Sequence, residues 1–208
     1  MNLDFQPNDL FILIDPQLDF SPGGSLAVPN GDEILPLVNE MLAEAQASSI
    51  PVIVTRDWHP ADHVSFKEQG GPWPPHCVQD TKGAEFHPDL KLPDDYTIIQ
   101  KAFKKDDDPY SCFQGGQTPG GATLQDTLKT LNPNRIWFAG LALDYCVQTA
   151  VLDACKAGYD CIVVLDATRG ITPDSSQKAI EDMKAAGAVI LNNLEDGLST
   201  QQMLRDEW

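Results

Sequence analysis

Short apolar runs recur along the chain, and most are followed by a stretch whose apolar positions repeat every three or four residues. Residues 10–14 carry no polar side chain, and residues 51–55 are rich in β-branched types. Residues 96–100, 135–141, 161–165 and 188–191 read the same way, so each is predicted as a strand. Between them, residues 32–47 place Ile34, Leu37, Val38, Met41, Leu42 and Ala45 on one helical face. Residues 123–131, 145–157 and 175–186 are predicted helices, as is the tail after residue 194. Strands that are apolar on both faces belong in parallel sheets covered on both sides. Strand–helix alternation then predicts an α/β fold, an open parallel sheet with helices on both faces, in a single domain spanning residues 1–208.

Residues 57–95 break the pattern. They are rich in proline, lack periodicity and hold all four histidines of the chain, at 59, 63, 76 and 87. A long irregular segment inside a compact domain is usually functional. In open α/β sheets ligands bind beyond the carboxyl ends of the strands. The polar residues at those ends are therefore the ones to weigh.

Composition narrows the function. The 208 residues suit about one domain, and 42% hydrophobic content supports a sizeable core. A formal charge of −17 argues against binding nucleic acid or an anionic membrane, both of which need basic surface. Five cysteines, an odd number without Cys-x-x-Cys, argue against a disulfide framework or a zinc ribbon. No signal-peptide pattern opens the chain and no apolar run could span a membrane. A cytoplasmic protein acting on a small molecule is the expectation, and self-association into a homo-oligomer stays open.

Asp15 follows the first predicted strand, Asp57 the second and Lys101 the third, while Cys146 follows the fourth where a helix begins. Each alone has an ordinary structural explanation, a turn or cap for the acids and a small buried hydrophobe for the thiol. Together they place an acid, a base and a nucleophile on one rim. A helix N-terminus and a neighbouring ammonium are expected to lower the thiol pKa. A carboxylate can accept and return the thiol proton, so the set can attack an acyl carbon without histidine. Residues 140–146 read as a strand-to-helix turn whose amides could hold an oxyanion. The other cysteines have weaker claims: Cys161 opens a core strand, Cys155 sits in mid-helix, and Cys77 follows a histidine as an alternative ligand.

Asp57 and His59 stand two apart, so in extended backbone both face the same way. His76 would close a site from the proline-rich loop, with His63 as a candidate fourth ligand. One carboxylate and two imidazoles suit Zn²⁺, Fe²⁺ or Mn²⁺ with positions left open. His87 reads as a structural hydrogen-bonding residue. Dinucleotide, Walker, His-Glu-x-x-His and Gly-x-Ser-x-Gly motifs are absent.

Residues 15–20 (Asp-Pro-Gln-Leu-Asp-Phe) and 23–28 resemble the opening of nicotinamidases and pyrazinamidases, within the isochorismatase-like cysteine hydrolases. Residues 57–66 (Asp-Trp-His-Pro-Ala-Asp-His-Val-Ser-Phe) and 73–79 (Trp-Pro-Pro-His-Cys-Val-Gln) are similar to that family's metal segments. Lys101 with Phe103, Tyr110 and Ser111, then residues 140–147, complete a likeness running from about residue 9 to 192. The resemblance implies a six-stranded parallel sheet and a triad of Asp15, Lys101 and Cys146. It also implies Asp57, His59 and His76 as ligands of one divalent metal, zinc foremost, with Fe or Mn as alternatives. Ala142 and Cys146 match the oxyanion-hole amides, with a cis bond at Leu141–Ala142. Phe20, Trp73 and Tyr110 match positions that flank the substrate ring. The implied reaction takes nicotinamide, with pyrazinamide as a second substrate, to the acid and ammonia through a cysteine thioester. Ala102 stands where many relatives have Gly, Leu143 replaces a frequent Thr, and Cys112 replaces a small residue. These departures bear on substrate breadth. Two other readings stay open: a different hydrolase of the same superfamily, and an inert metal-binding protein.

Overall fold

Six runs pair into one sheet because their apolar residues are buried on both faces. They are β1 (Asp9–Ile14), β2 (Val52–Asp57), β3 (Thr97–Lys101), β4 (Arg135–Leu141), β5 (Asp160–Arg169) and β6 (Val189–Leu191). The computed structural model describes residues 3–192, so the helix expected after residue 194 lies outside the described residues. All pairs are parallel, in the order β3-β2-β1-β4-β5-β6. The direction of winding reverses at β1 and β4, which opens a crevice above their carboxyl ends.

Alternation along the strands sorts the core into two layers. Phe11, Leu13, Val54, Trp137 and Ala139 face the helix α1 (Leu35–Ala47). Leu10, Ile12, Ile53, Ile136 and Phe138 face α2 (Leu124–Leu131), α3 (Gln148–Lys156) and α4 (Pro173–Ala185). Thr123 caps α2, accepting from the Asp126 amide at 3.1 Å. Thr172 caps α4, accepting from the Ser175 amide at 3.1 Å, with Pro173 preset for the first helical position.

Several boundaries differ from the sequence reading, three of them with an evident physical reason. A 3₁₀ turn over Gly31–Ile34 precedes α1, because Asn30 enters it in the left-handed region at φ 55°. Strand β5 continues to Arg169 past a bulge: Phe138 pairs with Val163, but Gly140 pairs with Thr168. The polar residues beyond Leu165 hid that continuation. The predicted helix over residues 145–157 opens instead with a π-helical turn, Leu143–Val147, before α3 begins.

Candidate functional site

Register brings the strand-end residues together. Asp57 and Lys101 are the last residues of β2 and β3 and are direct partners in the ladder. Asp57 was expected two positions and Lys101 one position beyond their strands, but both strands run on to include them. They share a face with Thr55 and Ile99, the face toward α3, by the period of two. Asp15 leaves β1 with φ 45°, which turns its carboxylate into the same space. Cys146 reaches it from the π-helical turn.

The four side chains form one buried cluster. Lys101 Nζ lies 2.9 Å from Asp15 Oδ2, in ion-pair contact with Asp57 Oδ1, and 3.4 Å from Cys146 Sγ. Lys101 is 1% exposed and Asp15 0%. A carboxylate oxygen of Asp15, one of Asp57 and Cys146 Sγ all lie within 4.8 Å of one another. Thr55 Oγ1 accepts from the Asp15 amide at 3.1 Å and donates to Asp15 Oδ1 at 2.7 Å. Asp15 Oδ2 has the Lys101 ammonium at 2.9 Å and no other polar partner among the described residues.

Burial would push Lys101 down, but Asp15 and Asp57 outweigh it and hold the ammonium well above its ordinary value. For Asp57, burial raises and Lys101, His59 and His76 lower; the lowering wins. Asp15 ends raised: burial acts first, Lys101 opposes it, and Asp57 adds to it. The Cys146 thiol stands well above its usual value, because burial and the two carboxylates overcome Lys101. This corrects the expectation of a thiol made acidic by the helix start and Lys101. Two carboxylates and one ammonium already leave one uncompensated negative charge, and a thiolate would add another.

Beside the cluster stand the histidines. His59 Nδ1 lies 3.0 Å from the His76 carbonyl, and His76 Nδ1 lies 2.8 Å from the Pro74 carbonyl. A carbonyl only accepts, so both Nδ1 atoms carry hydrogen and both Nε2 atoms keep a lone pair. Donor atoms of Asp57, His59 and His76 fall within 4.8 Å of one another, and all three residues are buried. His63 packs beside His59 with ring centroids 4.4 Å apart. Its nitrogens are engaged, Nδ1 with Ser65 Oγ at 2.7 Å and Nε2 with the Asp107 carbonyl at 3.0 Å. Cys77 joins no such donor cluster among the described residues and lies in the core. Its amide donates to Asp19 Oδ2 at 2.7 Å and its carbonyl accepts from the His59 amide at 3.0 Å. The His87 imidazole accepts through Nδ1 from the Asp89 amide at 3.2 Å.

A cavity of about 160 Å³ joins the two clusters. An apolar cavity near ~150 Å³ holds benzene, so this one suits a single six-membered ring. Phe20, Trp73, Tyr110 and Tyr145 line it, with Cys146 and Ala142 at one wall and Asp57, His59 and His76 at another. Trp73 Nε1 donates to Tyr110 Oη at 3.0 Å, which fixes both rings. The Leu141–Ala142 peptide is cis. Sequence reasoning missed several members. Thr55 and Tyr145 look like ordinary strand and helix residues. Gln17 Nε2 donates to the Asp57 carbonyl and Gln17 Oε1 accepts from the Asp57 amide, each at 2.8 Å, and only its position two residues after Asp15 hinted at this. Asp108, at the cavity mouth, has its carboxyl raised by burial.

Residues 9–194 match the isochorismatase domain family, and with this parallel sheet and this site the chain is a hydrolase of that family. It is 36% identical over 212 residues to the nicotinamidase of Escherichia coli K12, covering 94% of this chain and 99% of that one. The pyrazinamidase of Pyrococcus horikoshii in complex with zinc superposes with a TM-score of 0.84 at 42% identity, covering 89% and 99% of the two chains. PnC1 of L. infantum in complex with nicotinate gives 0.80 at 32% identity, covering 92% and 96%. The protein belongs to the nicotinamidase/pyrazinamidase family of amidohydrolases.

Proposed function

We propose that the protein hydrolyses nicotinamide, and pyrazinamide with it, to the corresponding acid and ammonia through a thioester on Cys146. One observation carries this reading: Cys146 Sγ, at the wall of a one-ring aromatic cavity, lies 3.4 Å from Lys101 Nζ, which is itself paired with Asp15 Oδ2 at 2.9 Å.

Phe20, Trp73 and Tyr110 hold the ring, at about 0.5–1.5 kcal/mol per aromatic contact beyond burial. Asp57, His59 and His76 fit a divalent ion, since two imidazoles whose Nδ1 atoms face carbonyls and leave Nε2 for coordination, with one carboxylate, are a zinc-type set. When bound, that ion supplies a Lewis-acidic anchor for a ring nitrogen. His63 would join the set by giving up one of its two bonds, to Ser65 Oγ or to the Asp107 carbonyl.

Asp15 Oδ2 takes the thiol proton, for which its raised pKa suits it. Thr55 keeps Oδ1 occupied, so the proton exchanges at Oδ2. The sulfur attacks the carboxamide carbon while Lys101 offsets the charge left on the cluster. The amides of Ala142 and Cys146 receive the oxyanion. The protonated Asp15 returns its proton to the departing nitrogen, and ammonia leaves. Asp15 then takes a proton from water, which opens the thioester to the acid and restores the thiol.

Ammonia release from nicotinamide tests this. Metal-replete protein should turn over, a chelator should stop it, and Cys146→Ala should abolish release while keeping its metal. Turnover by Cys146→Ala at the wild-type rate would dispose of the nucleophile assignment.

A further inference from the structure

The turn that carries Cys146 is fastened from outside by a side chain that the reaction itself does not use. Asp144 is the second residue of the π-helical turn Leu143–Val147 and stands two before Cys146. Its carboxylate reaches the connection between β5 and α4. Both oxygens accept from the Ile171 amide, at 3.1 and 3.0 Å, and Oδ2 also accepts from the Ser175 hydroxyl. Ser175 is set for this by Thr172, whose Oγ1 accepts from the Ser175 amide at 3.1 Å and lies 2.6 Å from Ser175 Oγ. With the Ser175 proton given to Asp144, the Thr172 hydroxyl donates to Ser175 Oγ. Gly170 leaves room for the contact: a Cβ there would meet Ser176 Oγ at 2.0 Å and Asp144 Cγ at 3.3 Å. A second tie follows the turn, where Gln148 Nε2 donates to Asp182 Oδ2 of α4 at 3.0 Å.

These bonds exceed what the helix needs. Thr172 already caps α4, and Pro173 fills its first position, so a carboxylate from another element is not required to start it. What the clamp joins matters on both sides. On one side is Cys146, with its sulfur 3.4 Å from Lys101 Nζ. Inside that turn the Tyr145 and Val147 amides share the Ala142 carbonyl, each at 3.1 Å, so one acceptor serves two donors. On the other side is Ile171, which lines the ring cavity although it is 38% exposed.

Taking Cys146 as the nucleophile of the amide hydrolysis proposed above, we propose that Asp144 is a positioning residue. Its hydrogen bonds lock the nucleophile turn to the start of α4, which sets Cys146 against Lys101 and Ile171 over the ring together. Asparagine can reproduce the clamp. Its Oδ1 would accept from the Ile171 amide and its Nδ2 would donate to Ser175 Oγ, whose proton then turns to the Thr172 carbonyl at 3.2 Å.

Two measurements on the metal-replete, full-length protein test this: steady-state ammonia release from nicotinamide, and amide hydrogen exchange over residues 143–149. Asp144→Ala should lower kcat roughly 10–100-fold, the cost of a misplaced reacting group. It should also raise KM and speed exchange in that segment, while β1 keeps its protection. Ser175→Ala should move all three the same way by less, and carries the comparison if Asp144→Ala does not fold. Asp144→Asn should return kcat, KM and exchange towards wild type. Loss of folded protein alone would cut the apparent kcat at unchanged KM, so the KM rise and the asparagine rescue separate positioning from stability. An inactive wild type would sink the amidase reading, and exchange alone would then decide the clamp. With wild type active, unaltered kinetics or unaltered exchange in Asp144→Ala overturns the proposal, as does an Asp144→Asn variant as impaired as Asp144→Ala.

Discussion

Lys101 is the residue on which the charge balance of the site turns. It is the only cation among two carboxylates and a thiol, all within a closed space. In metal-free protein, Lys101→Ala would leave Asp15 and Asp57 buried without a counter-charge. Removing one partner of a buried ion pair costs roughly 3–5 kcal/mol, so urea unfolding should show a loss of that order. Ammonia release should fall at least ~100-fold with it, since the group that offsets the developing charge is gone. A variant as stable as wild type would mean that the carboxylates find other partners. Residue identities at this scale were legible: an acid, a lysine and a cysteine at strand ends point to the cluster. The direction of the thiol's pKa was not. It depends on how many carboxylates share one ammonium and how little water reaches them, and neither is a property of sequence spacing.

At the scale of elements, the turn that presents Cys146 depends on how closely β4 approaches β1. Gly140 has φ +117°, and a Cβ there would sit 2.1 Å from the Ile14 carbonyl oxygen. Gly140→Ala should therefore destabilise the fold, by about 1–3 kcal/mol for the conformation and a further ~1–3 kcal/mol for the overlap. Thermal melting would report it, and an unchanged midpoint would refute the close approach. Apolar periodicity predicted the strands and helices because each buries a definite face. It stopped β5 at Leu165 because the bulge and the polar residues after it break the alternation. It drew a plain helix over the residues from Tyr145, since a π-helical turn leaves no mark in the spacing of apolar side chains.

For the molecule as a whole, the site exists because β1, β2, β3 and β4 end on one rim and the loop over residues 57–95 folds back across it. Gln17 ties that rim to the loop through Asp57 and through the Ala84 carbonyl, at 3.0 Å. An ion held by Asp57, His59 and His76 would bind the folded chain and not the unfolded one. At a hundredfold excess over Kd that linkage adds about 2.7 kcal/mol. Zinc added to metal-free protein should raise the melting temperature, and His59→Ala should lose that rise; an equal rise in both would place the ion elsewhere. Among the described residues no helix is long and apolar enough to cross a membrane. The sequence by itself determined the strand–helix alternation, the residue types at the strand ends and the concentration of histidines in one segment, because periodicity and side-chain chemistry are local. Only the folded chain decides that Lys101 bridges two carboxylates and a thiol and that both nitrogens of His63 are engaged. Those outcomes depend on burial and on contacts between residues distant in the chain or across a turn, which spacing does not encode.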